Sequence, residues 1–250
     1  MHPARIAELL QPFLSPISSP RHSEQGQRPG EEPAVLSAVQ LEHISTYIDL
    51  LLHWNARVNL TAIRDEEEIV TRHFGESLFA ARHLFPKIYP VSSVPPVVRG
   101  FDFAGARVAD LGSGAGFPGI PIKLWAPHIA LTLIESNHKK ATFLREVARS
   151  LTLTDIDIQN VRAENVTKTY DVVTLRAVEH FADSLPIAAG LLAPDGRLAL
   201  LISHSQLDIA RRSLPQFTWQ DPVLIPESKS RLLFTGTLNN NSKQWEQTCI

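Results

Sequence analysis

The chain has 250 residues, 44% of them hydrophobic, and its 24 Lys and Arg nearly balance 26 Asp and Glu for a formal net charge of -2. This sustains the core of one α/β domain with a small helical addition and gives no compositional support for a generally basic nucleic-acid binder, though a local basic face stays open. No run approaches the ~20 apolar residues of a membrane helix, and the single cysteine, Cys249, excludes a disulfide framework and any cysteine-built metal site.

Residues 1–33 contain SPISSPRHSEQGQRPGEEP, whose Pro, Ser and Gly content leaves too little apolar surface to order a chain. A flexible N-terminal tail is therefore expected, with at most a short docking helix around Leu9, Leu10, Phe13 and Leu14. Residues 34–85 read as a helical extension. Ile44, Ile48, Leu51 and Leu52 recur on one helical face, and a second helix is expected to open at Asp65 with Glu68 as its capping-box partner. Ile69, Val70, Phe74, Leu78 and Ala81 form its apolar side. His73 lies on that side too, either as a satisfied core residue or as a ligand. Residues 86–106 carry four prolines and read as a linker, and 241–250 as a C-terminal tail.

From residue 107 to 240, apolar strands alternate with helices. Strands are expected at 107–111, 130–135, 155–160, 170–175 and 197–202, with helices at about 117–125, 138–151, 181–192 and 205–213. Repeated βα units of this kind predict a parallel sheet covered on both faces, and strands near 217–225 and 231–238 should add an antiparallel edge. The fold class is α/β, a Rossmann-like seven-stranded arrangement with ligands at the carboxyl ends of its first strands.

The first strand runs into RVADLGSGAGFPGIP, a glycine-rich turn followed by a helix. Glycines let such a turn close tightly and bring a ligand against the main chain. Gly114-x-Gly116-x-x-Gly119 matches a dinucleotide fingerprint. Asp110, Gly112, Gly114 and Gly116 instead suit a ligand bearing an ammonium and a sulfonium, S-adenosylmethionine. Glu135 at the end of the second strand is placed for ribose hydroxyls. Arg162-Ala163-Glu164 after the third either reaches an adenine or is a plain polar turn. Arg176 after the fourth suits a carboxylate or a substrate phosphate, or pairs with Glu179. Lys139, Lys140 and Arg145 on one helix offer either phosphate contacts or a solvated face. Metalloprotease, α/β-hydrolase and P-loop motifs are absent from the sequence, and no metal is expected.

Together these blocks resemble the bacterial small-subunit ribosomal RNA guanine-N7 methyltransferase family, RsmG or glucose-inhibited division protein B. The likeness covers about residues 36–238. It rests on LLHWNARVNLTAIRD, VTRHFGESL, VADLGSGAGFPGIPIKL, LIESNHKKATFL, VRAENV and VVTLRAV in the same order. The resemblance implies an S-adenosylmethionine-dependent enzyme acting on N7 of a guanine in 16S rRNA, as naked RNA or small subunit. Gly112 and Phe117 would line the cofactor pocket, Ala163 and Glu164 would meet adenine, and Arg176 would lie between cofactor and substrate. Arg72 and Arg231 join the basic residues above as candidate RNA contacts. A cytoplasmic monomer is expected. Two departures from the family pattern stand out: Ile202-Ser203 replaces a lysine-glycine pair, and Gly75-Glu76 replaces an apolar residue and an aspartate. A nicotinamide-dependent oxidoreductase and a non-catalytic relative that binds S-adenosylmethionine or RNA are the alternatives.

Overall fold

The computed structural model describes residues 1–15, 35–86 and 105–239. The expected C-terminal tail, most of the linker and the Pro/Ser-rich stretch 16–34 lie outside them.

The five apolar runs read from the sequence become parallel strands: β1 (Arg107–Leu111), β2 (Ala130–Ile134), β3 (Ile156–Gln159), β4 (Tyr170–Arg176) and β5 (Leu192–Ser203). β5 begins five residues earlier than expected, because Leu192 already pairs with Tyr170 of β4 and residues 193–196 form an irregular stretch before Arg197 meets Val172. β6 (Phe217–Trp219), β7 (Val223–Leu224) and β8 (Arg231–Leu238) complete the sheet. Its order is β3-β2-β1-β4-β5-β8-β6, with β7 also on β8, and β8 runs antiparallel to β5. The single strand expected near 217–225 is two short ones. Pro222 lies between them and has no N–H for a ladder.

Helices α1 (Pro3–Leu14), α2 (Ala38–Asn55), α3 (Glu66–Glu68), a π-helical segment (Ile69–Gly75) and α4 (Glu76–Leu84) precede the sheet. α5 (Gly119–Trp125), α6 (His138–Ser150), α7 (Phe181–Gly190) and α8 (His204–Ser213) follow β1, β2, β4 and β5. The N-terminal helices share one core with α5, α6 and one face of the sheet, while α7 and α8 cover the other face.

The docking helix expected around Leu9, Leu10, Phe13 and Leu14 is present as α1, and it opens earlier, at Pro3. Ile6, Leu10, Phe13 and Leu14 are buried at i, i+4, i+7 and i+8 against α2, the π segment and α4, so this stretch has an apolar stripe sufficient to order it. Asp65 caps α3, accepting from the Glu68 N–H at 2.8 Å, but the Glu68 carboxylate pairs with Arg72 at 3.5 Å instead of closing the expected capping box. α3, the π segment and α4 run as one continuous right-handed helix. The widened π turn carries Arg72 and His73 and brings the helical extension to the carboxyl end of β4. Single π turns inside α-helices recur at functional sites.

Candidate functional site

A cavity of about 960 Å³ opens at the carboxyl ends of β1, β2 and β4. Its floor is the glycine loop, Gly112 to Ala115. Gly112, Gly114 and Gly116 have φ of 65°, 56° and 88°, a left-handed backbone that side chains rarely adopt. The three glycines serve different ends. A Cβ on Gly114 would come no nearer than 3.7 Å to any neighbour, so here the loop presents bare backbone to open space. A Cβ on Gly116 would instead collide with the Tyr47 hydroxyl and lie 2.8 Å from Ile120. Gly116 thus lets α2 close on the loop, and the Tyr47 hydroxyl donates to the Ala115 carbonyl.

Glu135 fixes the loop from β2. One carboxylate oxygen accepts from the Gly114 N–H at 2.9 Å and the other from the Asn137 N–H at 2.7 Å. Each oxygen keeps capacity for a further bond, and Glu135 lines the cavity together with Arg162, Ala163, Glu164 and Lys140.

Asp110 lies behind the glycine loop. Its side chain is fully buried and does not line the cavity. It accepts from Thr174 Oγ1 at 2.7 Å and from the Gly119 N–H at 3.3 Å, tying β1 to β4 and to the start of α5. Burial raises its pKa from 3.8 to about 6, against the lowering effect of those hydrogen bonds. Asp110 braces the loop from behind.

Phe117 forms the wall between the sheet domain and the helical extension. It stacks on Tyr47 at 5.3 Å and on His73 at 4.7 Å between centroids, with Phe74 edge-on. His73 is no bystander in the core. Its Nε2 meets Thr61 Oγ1 at 2.8 Å and its Nδ1 meets Arg176 Nη1 at 3.1 Å. Because Arg176 only donates, Nδ1 accepts and the proton sits on Nε2. Burial, then the nearby arginines, lower the His73 pKa from 6.5 to about 3, so the ring is neutral at physiological pH.

Arg176 does not pair with Glu179. Its Nη2 donates to Glu76 Oε2 at 3.1 Å and to the Arg72 carbonyl at 2.6 Å, while its side chain is 8% exposed. Arg72 and Arg231 reach the same carboxylate. Of the basic candidates, Arg72, Arg176 and Arg231 therefore come together. Lys140 reaches the cavity, whereas Lys139 and Arg145 sit on exposed positions of α6.

Residues 40–216 match the family model described as rRNA small subunit methyltransferase G. The chain belongs to that family. It is 39% identical over 215 residues to the ribosomal RNA small subunit methyltransferase G of Chloroflexus aggregans, across 79% of this chain and 82% of that one. The Halorhodospira halophila protein of the same name is 41% identical over 167 residues, across 66% and 71%. Among solved structures, the magnesium protoporphyrin IX methyltransferase of Synechocystis with bound SAM superposes with a TM-score of 0.57 at 14% identity, covering 78% of this chain and 97% of that one. This last likeness shows a shared methyltransferase fold. The protein is a small-subunit rRNA methyltransferase, and neither alternative is supported.

Several residues of this methyltransferase's site carried no readable role in the sequence. Asn55, buried at the end of α2, accepts from the Leu60 and Thr61 N–H groups at 2.9 and 3.1 Å and donates to the Thr61 carbonyl at 2.9 Å. It shapes the loop that sets Leu60, Thr61 and Ala62 at the cavity edge. Asn55, Thr61, His73 and Glu76 all fall in the two N-terminal blocks of the family resemblance, which was the available signal. Ile202, where a lysine was expected, is buried under α7 and α8 on the sheet face away from the Arg176 cluster. Ser203 begins α8 with a capping box.

Proposed function

We propose that this methyltransferase moves the methyl group of S-adenosylmethionine to N7 of a guanine in 16S rRNA. The observation that carries the reading is one continuous cavity whose lining combines the bare Gly114 backbone, Glu135, Ala163, Glu164, Arg176 and His73. An adenosine fits the first part: Glu135 toward the ribose hydroxyls, Ala163 and Glu164 at the adenine, Gly112 and Gly114 beneath. Phe117 backs the pocket, and Asp110 and Gly116 hold the loop in shape.

Bound S-adenosylmethionine supplies an electrophilic methyl on a sulfonium. Guanine N7 has a free lone pair and no proton, so the chemistry asks for alignment rather than a base. The local hydrogen bonding agrees. The His73 Nδ1 lone pair is taken by Arg176, which leaves the ring as a fixed strut rather than a proton acceptor. The substrate is taken as rRNA or the small subunit. No described helix is long and apolar enough to cross a membrane, and we place the enzyme in the cytoplasm as a monomer.

Calorimetry tests the site. Wild type should bind S-adenosylmethionine and ignore NADH. Gly114→Val should lose at least about tenfold in affinity, because the side chain enters open cavity and strains a left-handed backbone by roughly 1–2 kcal/mol. Unchanged affinity in that variant would refute the assignment.

A further inference from the structure

Three guanidinium groups converge on one buried carboxylate at the carboxyl end of the sheet. Glu76 is 1% exposed. Its Oε1 meets Arg72 Nε at 3.2 Å, and its Oε2 meets Arg176 Nη2 at 3.1 Å and Arg231 Nη2 at 3.4 Å. Among the described residues, the other carboxylate within 4 Å is Glu68, about half exposed and 3.5 Å from Arg72. The inner part of the cluster therefore holds two largely buried cations, Arg176 and Arg231, for one buried anion. Both also keep a buried Nε without an acceptor.

A structural staple between the helical extension and the sheet needs one guanidinium per carboxylate. Each further cation is desolvated for a share of a carboxylate already engaged, which leaves a net cost. The surplus charge suits an oxyanion, and guanidinium forks match phosphate geometry. The place also fits: Arg176 lines the cavity beside His73, away from the Glu135 and Glu164 end where adenosine is put.

We infer that the Glu76 cluster is a phosphodiester subsite for the acceptor RNA, in which Glu76 holds Arg72, Arg176 and Arg231 at the spacing one phosphate requires. This rests on the proposed function and adds how the acceptor strand is seated. Arg72, about half exposed, is the outer contact, and Arg231 the inner one.

The test is the salt dependence of small-subunit RNA binding by the full chain. Arg72→Gln and Arg231→Gln should each weaken binding about fivefold near 0.1 M salt and flatten the log–log slope by about 0.7. Arg231→Lys should keep the slope. Arg211→Gln, on α8 over the Phe234 ring, should match wild type. S-adenosylmethionine affinity should hold throughout, and millimolar inorganic phosphate should compete with RNA in wild type but less in Arg72→Gln. Unchanged slopes in both glutamine variants would overturn the subsite. So would a loss confined to S-adenosylmethionine affinity, which would make the anion the methionine carboxylate, or phosphate binding that leaves RNA binding unaffected. Wild-type methyl transfer is measured in parallel: transfer with unchanged slopes removes the subsite alone, whereas absent transfer removes the function reading beneath it.

Discussion

Gly75 and Phe13 offer a sharp test of how the N-terminal helix supports the site. A Cβ built on Gly75 would lie 2.6–2.7 Å from three atoms of the Phe13 ring. Ordinary carbon contacts are about 3.5–4.0 Å, so in Gly75→Ala the ring must retreat by about 1 Å. Phe13 is 1% exposed within a core shared by α1, α2 and α4, and overpacking of that kind costs about 1–3 kcal/mol. Against this stands the ~0.5–1 kcal/mol that alanine gains over glycine inside a helix. The net effect should be a loss of about 0.5–2 kcal/mol, read by urea unfolding. In the Phe13→Leu background the obstruction is gone, and the same Gly75→Ala change should turn stabilising by about 0.5–1 kcal/mol. A coupling of about 1 kcal/mol or more closes the cycle. Since Gly75 adjoins Glu76, the single variant should also raise the KM for RNA. The reasoning is refuted if Gly75→Ala has the same effect in both backgrounds.

Arg176→Ala should impair both activity and folding, because it removes a largely buried partner of Glu76 and frees the His73 ring. With Arg72 and Arg231 still present, up to about 3 kcal/mol should be lost, lowering Tm by roughly 6–12 °C in a chain of this size. An unchanged Tm would contradict the cluster geometry. pH dependence gives a signed prediction. The Asp110 pKa is raised from 3.8 to about 6, so the folded state binds more protons than the unfolded one in that window. Stability from this group is greatest below pH 4 and falls as pH rises toward 6, on the order of 3 kcal/mol. His73, lowered from 6.5 to about 3, acts oppositely, and its contribution is lost as pH falls from 6.5 toward 3. Asp110→Asn should therefore show stability rising more steeply than wild type between pH 4 and 6 in urea titrations. Parallel profiles would argue against a buried, proton-holding Asp110.

The sheet was legible because parallel strands buried on both faces read as apolar runs, and the glycine loop because its backbone demands glycine. Other features depend on distant partners. Asp110 stands where a ligand contact was expected, but only Thr174, 64 residues away, and Gly119 show that it faces inward. Arg176 read as a possible partner of nearby Glu179, yet it meets Glu76 across 100 residues. The docking helix around Leu10, Phe13 and Leu14 was readable from its apolar residues, but its extension back to Ile6 was not, because the Pro/Ser composition that follows dominates the N-terminal stretch. The π turn had no sequence signature, so the meeting of Arg72 and His73 with Arg176 emerged only with the fold.

The most direct measurement is transfer of labelled methyl from S-adenosylmethionine to small ribosomal subunits lacking the modification, with the product mapped to a nucleotide and an atom. Label at N7 of a single guanine is the predicted result. Label on another atom or base, or tight S-adenosylmethionine binding with no transfer, would contradict it.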